Sequence, residues 1–306
     1  MIYKLRRTWY GLSIILFGIS IVIMATLGLP LGIDFTGGNL AEIKPPAGTT
    51  AEQVQQSLAS GGVEAVVQET ADSTLIIKYA ARQDGTLPSA QDIVSTVPGS
   101  NLVSFTGVGP AMGDSLQRKA LLSVVVASLG IILFLAWSFR AVGKLISAWS
   151  FGTFAVVAFI HDIVTTTGFI ALVGHYNAQV SIDAYFLTAL LTVLAYSVND
   201  TIVVYDRVRE VLWKTPSLPL PIAIERSIEQ TVSRSLNTSL TIVLAVLPLI
   251  LLAGGSLMTF LLTLAFGIVV GTYSSIFLAA PLLGTWHGYR AKPKKARRRL
   301  FRRRRK

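Results

Sequence analysis

The chain has 306 residues, 52% of them hydrophobic, a mean hydropathy of +0.60 and only 14% charged residues. Soluble domains carry about 25% charged residues, so much of this chain faces something other than water. It has no cysteine, which excludes a disulfide framework, a zinc–thiolate site and a thiol nucleophile. The net charge of +11 belongs to the C-terminus, because residues 290–306 hold 12 of the 27 Lys and Arg and no acid.

The first apolar run covers roughly Trp9 to Leu29, enough to cross about 30 Å of hydrocarbon as a helix. Lys4, Arg6 and Arg7 before it would also suit a signal peptide. The run exceeds a signal peptide's apolar core of about 7–15 residues, and it ends in Gly28, Leu29 and Pro30. A retained anchor is therefore the preferred reading.

Residues 31–117 change character, with nine acids against three bases. Period-two alternation at Leu40–Lys44, Glu64–Gln68 and Thr74–Tyr79 predicts strands, and a last strand is expected at Asn101–Phe105. Thr49 or Thr50 can cap a helix ending near Ala59, and Pro88-Ser89 opens another ending near Pro98. The order β-α-β-β-α-β is that of a ferredoxin-like split fold.

Five further apolar spans follow, at about 120–139, 145–173, 184–205, 236–253 and 257–283. Their connections are short except for residues 206–235, which read as a loop. Basic residues fall in the N-terminus, after the second span (Arg140, Lys144), after the fourth (Arg207, Arg209, Lys214, Arg226) and in the tail. The loops at 174–183 and 253–256 contain no Lys or Arg. Six spans put every basic segment on one side, which the positive-inside rule makes the cytoplasm. The expected fold is an α-helical polytopic membrane protein with six transmembrane helices. A small α+β ferredoxin-like extracytoplasmic domain sits between helices 1 and 2. The divisions are 1–30, the N-terminus and first helix; 31–117, the outer domain; 118–288, helices 2–6; and 289–306, a basic cytoplasmic tail.

Ionisable groups inside apolar spans cost about 2.5–3.5 kcal/mol each on insertion scales and face a bundle interior or a wet path. Asp162, Asp200 and Arg234 are the three of weight. Tyr196, Asn199, Asp200 and Val203 share one helical stripe, and Thr231, Arg234, Ser235, Thr238 and Ser239 share a broad polar face. An Asp200–Arg234 ion pair is geometrically reasonable. It serves equally a proton relay, in which burial and a guanidinium act in opposite senses on the carboxyl, or a structural pair fixing two helices in register. His161 and Asp162 are consecutive and point about 100° apart on a helix, a poor arrangement for a mutual relay. No ligand spacing accompanies His161, so a metal site is not expected.

Other motifs have bland readings. Asp206 to Glu210 suits an interfacial exit with local ion pairs. Gly32-Ile-Asp-Phe-Thr-Gly-Gly38 reads as a tight emergence from the first helix, and Asp34 within it has no partner constellation. Gly267 and Gly271 form a GxxxG packing stripe. The tail Lys292–Lys306 has the charge to bind nucleic acid, but orientation and contact with anionic lipid are preferred. No Walker loop, GxSxG elbow or HExxH helix is present.

Gly32–Gly38, the run Ser197-Val-Asn-Asp-Thr-Ile-Val-Val-Tyr-Asp-Arg-Val-Arg-Glu210 and Ser233-Arg-Ser-Leu-Asn-Thr238 together resemble the SecF family. These are small relatives of the resistance-nodulation-division exporters. The resemblance covers roughly residues 1–290 in span order and domain placement. It implies pairing with SecD into a pseudo-symmetric twelve-helix unit beside the SecYEG channel. That unit uses the proton gradient to complete preprotein release outside. The positions matching Asp200 and Arg234 are implicated in proton coupling, Asp162 matches a polar family position, and Asn199 and Thr238 are possible supports. The implied setting is the bacterial cytoplasmic membrane, with both termini cytoplasmic; a thylakoid membrane also fits. No cofactor, covalent catalysis or nucleic acid is expected. Half of a small-molecule or lipid exporter, or a structural translocon assembly subunit, are the alternatives.

Overall fold

The structure, a computed structural model, describes residues 2–46, 48–69, 74–79, 88–140, 146–177, 180–253 and 255–290. The tail Lys292–Lys306 singled out above lies outside the described residues, as does Lys144.

Helix α1 (Arg6–Leu27) is followed by a four-residue helix α2 (Ile33–Thr36) and strand β1 (Gly38–Lys44). Helix α3 (Ala51–Ser60), β2 (Ala65–Glu69), β3 (Leu75–Tyr79), α4 (Ala90–Thr96) and β4 (Asn101–Val108) complete the small domain. Both of its helices start at capping boxes, Thr50 with Gln53 and Ser89 with Asp92, in which side chain and backbone satisfy each other's orphan donors. The sheet order is β2-β3-β1-β4 with antiparallel neighbours, the split β-α-β arrangement the sequence predicts. Ala41, Ile43, Val54, Leu58, Leu75, Ile77, Tyr79 and Ile93 form its core. Strand β4 runs three residues past the expected Phe105, because Gly38 and Asn39 pair with Val108 and Gly107.

Helices α5 (Pro110–Ser138), α6 (Ala148–Tyr176), α7 (Ala184–Lys214) and α8 (Leu220–Leu252) follow. The last span is α9 (Gly255–Ser274), a π-helical turn (Ser275–Ala279) and α10 (Ala280–Arg290). Among the described residues, six helical segments are therefore long and apolar enough to cross a membrane. The expected loop at 206–235 is instead mostly helix, for α7 runs on to Lys214 and α8 begins at Leu220. The charges that suggested a loop stabilise helix. Arg209 pairs with Asp206 at 2.5 Å, Lys214 with Glu210 at 2.6 Å, and Arg207 with Glu210, all at i,i+3 or i,i+4 spacing.

Helix α7 is the axis of the bundle, packed on α6, α8 and α9. Small residues set the close crossings. A Cβ built on Gly168 would lie 2.5 Å from Ser20, one on Gly267 2.5 Å from Val193, and one on Gly271 2.9 Å from Ser197. The GxxxG pair thus brings α9 onto α7. Helices α1 and α5 turn apolar faces outward, with Ile14, Val22, Leu121 and Leu133 more than half exposed, as lipid-facing surfaces do.

Candidate functional site

Most Ser and Thr hydroxyls of the spanning helices bond to the carbonyl one turn earlier, as Thr167 does to Ile163 and Thr192 to Thr188. Several on the inner faces of α7 and α9 also bond across to other helices. Asp162, at the middle of α6 and 1% exposed, accepts from Ser197 Oγ of α7 at 2.6 Å and Ser274 Oγ of α9 at 2.8 Å, both on Oδ2. His161 Nδ1 lies 3.2 Å from its other oxygen, Oδ1. Contrary to the expectation from helical angle, the consecutive His161 and Asp162 do meet. The imidazole is long enough to turn back across one step, and Phe17 and Tyr273 hold its ring from either side.

One turn along α7 toward the α7–α8 hairpin, Asp200 is buried and accepts from Thr272 Oγ1 at 3.3 Å. Thr272 in turn bonds to Ser239 of α8. The Ser235 hydroxyl lies beside the Asp200 carboxyl and has no other protein partner. Ser275 links the layers, bonding Thr201 Oγ1 at 2.8 Å and the Ser197 carbonyl at 2.9 Å. It opens the π-helical turn, a distortion that commonly marks function inside helices.

Asp200 and Arg234 are not ion-paired in this structure. Thr231, Ser235 and Ser239 take the inward stripe of α8, and Arg234, one position off it, sits exposed at the rim. Its charge still reaches Asp200. Arg234 lines a cavity of about 410 Å³ with Asp206, Arg207, Glu210, Gln230 and Thr231, across which Arg207 Nε donates to Gln230 at 2.5 Å. Asn199 and Thr238 are exposed and outside the buried network, because each sits one position off its helix's inward stripe. Thr272, Ser274 and Ser275 were missed by sequence reasoning. Their signal is a polar run, Thr-Tyr-Ser-Ser, inside an otherwise apolar span.

Asp34 also has a role its sequence context does not reveal. Its Oδ2 accepts the Ala184 backbone N–H at 2.9 Å and so caps α7 from outside the helix. Asp183 caps the same turn through Phe186 N. Gly32 N donates to Ile182 O and Ile182 N to Pro30 O, stitching the two segments as a short parallel bridge. Gly38, at φ 144°, lets β1 pass 2.6 Å (measured from a would-be Cβ) from the Tyr79 carbonyl. The small domain is thereby tied to the end of the helix that carries Asp200. Among the described residues no cluster of His, Asp or Glu could hold a metal ion.

Six apolar helices among the described residues, with two carboxylates enclosed among hydroxyls and a small sheet domain fastened to the central helix, define a multi-pass membrane protein. Residues 90–289 match the family described as protein export membrane protein SecD/SecF, C-terminal, and residues 22–45 match the SecD/SecF GG motif. The protein translocase subunit SecF of Thermobaculum terrenum is 35% identical over 304 residues, covering 93% of each chain. That of Anaerolinea thermophila is 35% identical over 287 residues, covering 92% of each. The crystal structure of SecDF from Thermus thermophilus, a translocon-associated membrane protein, superposes with a TM-score of 0.77 at 29% identity. That match covers 94% of this chain but only 38% of the SecDF chain. The chain belongs to the SecD/SecF family, and its extent is that of the SecF members.

Proposed function

We propose that the chain is the SecF-type auxiliary subunit of the Sec translocase, coupling the proton gradient to preprotein export together with SecD and beside SecYEG. The observation that carries this reading is the setting of Asp200. The carboxyl is enclosed, holds only one long hydrogen bond, and has the Ser235 hydroxyl beside it and the Arg234 charge within reach. Ionised, it attracts Arg234 and accepts from the hydroxyls around it. Protonated, it releases Arg234 and donates a hydrogen bond in turn. The two states favour different α7–α8 arrangements, as ion coupling requires. In this reading Asp162 is the fixed partner that orders Ser197 and Ser274.

The outward polar residues Asn199 and Arg234 belong on a partner-facing side, since lipid would leave them unsatisfied; Thr238 beside them already donates to the Arg234 carbonyl. Strand β4 supports the same partner. It is an edge strand without a charged residue, and Leu102, Val103 and Phe105 on it are about half exposed, a surface soluble domains normally protect. The loop charges orient both termini and the tail toward the cytoplasm, the tail against anionic lipid, with the sheet domain outside to meet preprotein. The membrane is the bacterial cytoplasmic one, with the thylakoid as the other setting the sequence allows. The subunit does its work by moving and performs no covalent step.

The test is export into membrane vesicles carrying Asp200→Asn. Gradient-dependent export falls to the level seen without a gradient, while insertion and co-purification with SecD stay at wild type. Wild-type export in this variant sinks the proton role and leaves Asp200 a structural residue.

A further inference from the structure

Besides the hydroxyls that bond to Asp162 and Asp200, a second set lies buried on the domain side and has no partner among the described residues. Ser181, Thr165, Thr166 and Thr263 are all less than a tenth exposed, and none of their hydroxyl oxygens is hydrogen-bonded. Thr259, also enclosed, accepts only from the Ser181 backbone N–H. Each Thr could have bonded its own helix carbonyl, as Thr167 and Thr192 do. An unmatched hydroxyl in a membrane interior is costly, so a set of them on one route needs an explanation.

Their positions along the helices are fixed by two contacts between α6 and α9. The Ser274–Asp162 bond and the Phe266–Phe169 ring stack at 4.0 Å set the pair antiparallel. In that register Thr166 lies one turn, about 6 Å, on the domain side of Asp162, and Thr263 about 10 Å beyond it. Thr259 lies one more turn out, level with Ser181. Ser181 lines a cavity of about 440 Å³ between the sheet domain and the ends of the helices, with Gly174 of α6, Gly32 and Lys78 on its wall. The stretch between Thr263 and Thr166 is dry. Ile170, Leu190 and Val193 are buried there, with Gly267 tight on Val193.

We propose that Ser181, Thr259, Thr263 and Thr166 line a water-filled proton entry route, leading from the domain-side cavity through the α6–α9 seam to the hydroxyls around Asp162. The route is inside this subunit, not at the seam with SecD, and the structure holds it closed at Ile170 and Gly267. Water is the ligand, since each oxygen accepts and donates and the seam between them, at Ile170, Leu190, Val193 and Gly267, is apolar. The proposal rests on the proton-coupling reading, and it names the half of the path that reading leaves open.

The test uses the chain reconstituted with SecD in proteoliposomes, following proton uptake with an entrapped pH dye. Thr166→Val and Thr263→Val, which keep shape and remove the hydroxyl, lower flux about tenfold, and Thr166→Ser and Thr263→Ser restore it. Thr167→Val, whose hydroxyl is already bonded, leaves flux unchanged. As the natural chain has no cysteine, Thr263→Cys can be probed alone, and a small cationic methanethiosulfonate added on the domain side labels it, whereas Thr167→Cys is not labelled. Wild-type flux in both valine variants, equal loss in Thr167→Val, or no labelling of Thr263→Cys overturns the route. Loss of flux in Asp200→Asn with wild-type flux in the valine variants overturns the route alone. Wild-type flux in Asp200→Asn removes the reading beneath it.

Discussion

The two buried aspartates sit one helical turn apart and are held in opposite ways. Asp162 is buried, accepts from hydroxyls of α7 and α9 and meets the His161 ring of its own helix. Asp200 has one side-chain donor at 3.3 Å, and beyond it come a spare hydroxyl and a guanidinium at the rim of a cavity. A carboxyl with three side-chain partners is committed to one arrangement. One with a single weak donor can change partners at small cost. On the proposed reading, the contrast makes the number of committed partners, and not intramembrane charge alone, the mark of a working group.

Asp162→Asn tests the contrast with the largest effect on stability. It keeps the shape but removes the charge to which the Ser197 and Ser274 hydroxyls donate and puts an amide NH2 in place of one oxygen, and should lower unfolding free energy by about 2 to 3 kcal/mol, read from unfolding in detergent. Asp200→Asn should cost less than half of that while abolishing coupling. If Asp200→Asn proves the more destabilising, the roles assigned to the two carboxyls are reversed. Gly271→Ala is the next largest. Its Cβ meets that of Ser197 at 2.9 Å, displacing the hydroxyl from Asp162 at a cost of about 1 to 2 kcal/mol, and no loss would mean the α7–α9 seam is slack.

Two smaller effects belong to the sheet domain. Thr50→Ala removes one half of a capping box and should cost about 1 kcal/mol, seen as faster hydrogen exchange in α3 and unchanged exchange in the spans. Lys78 gives a pH signature. Burial pushes its ammonium below the ordinary lysine range, against the pull of Asp183 and Asp34. The unfolded chain therefore binds this proton more strongly than the folded one, and stability rises as pH climbs through the depressed value toward the ordinary one. Lys78→Gln should flatten that slope, and an unchanged alkaline profile would place the slope elsewhere.

The architecture was largely legible in the residues. Apolar length marked the spans, and period-two alternation with Thr50 and Ser89 as caps marked the sheet domain, because these signals are local. The site was legible only in part. Asp162 and Asp200 stand out as charges in apolar runs. Their donors Ser197, Thr272 and Ser274 do not, since a serine in a helix can equally bond its own backbone, and only the α6–α7–α9 packing decides. Asp34 was discounted for want of a side-chain partner, yet its partner is the Ala184 amide 150 residues away. The 206–235 segment was misjudged because charge reads as loop, whereas at i,i+4 spacing it supports helix.

The cap that Asp34 places on α7 has a mechanical consequence. The helix has 31 residues, a rod about 46 Å long at 1.5 Å per residue. It is pinned at one end to the sheet domain and packs at the other, through Val208 and Leu212, against α8 and α10. A tilt of about 5° about that pin would swing Lys214 by about 4 Å. It would move Asp200, about 24 Å from the pin, by about half as much. The helix is thus a lever whose fulcrum is the set of bonds made by Asp34, Asp183 and the Gly32–Ile182 bridge at its first turn, and a small displacement at Asp200 is about doubled at its far tip.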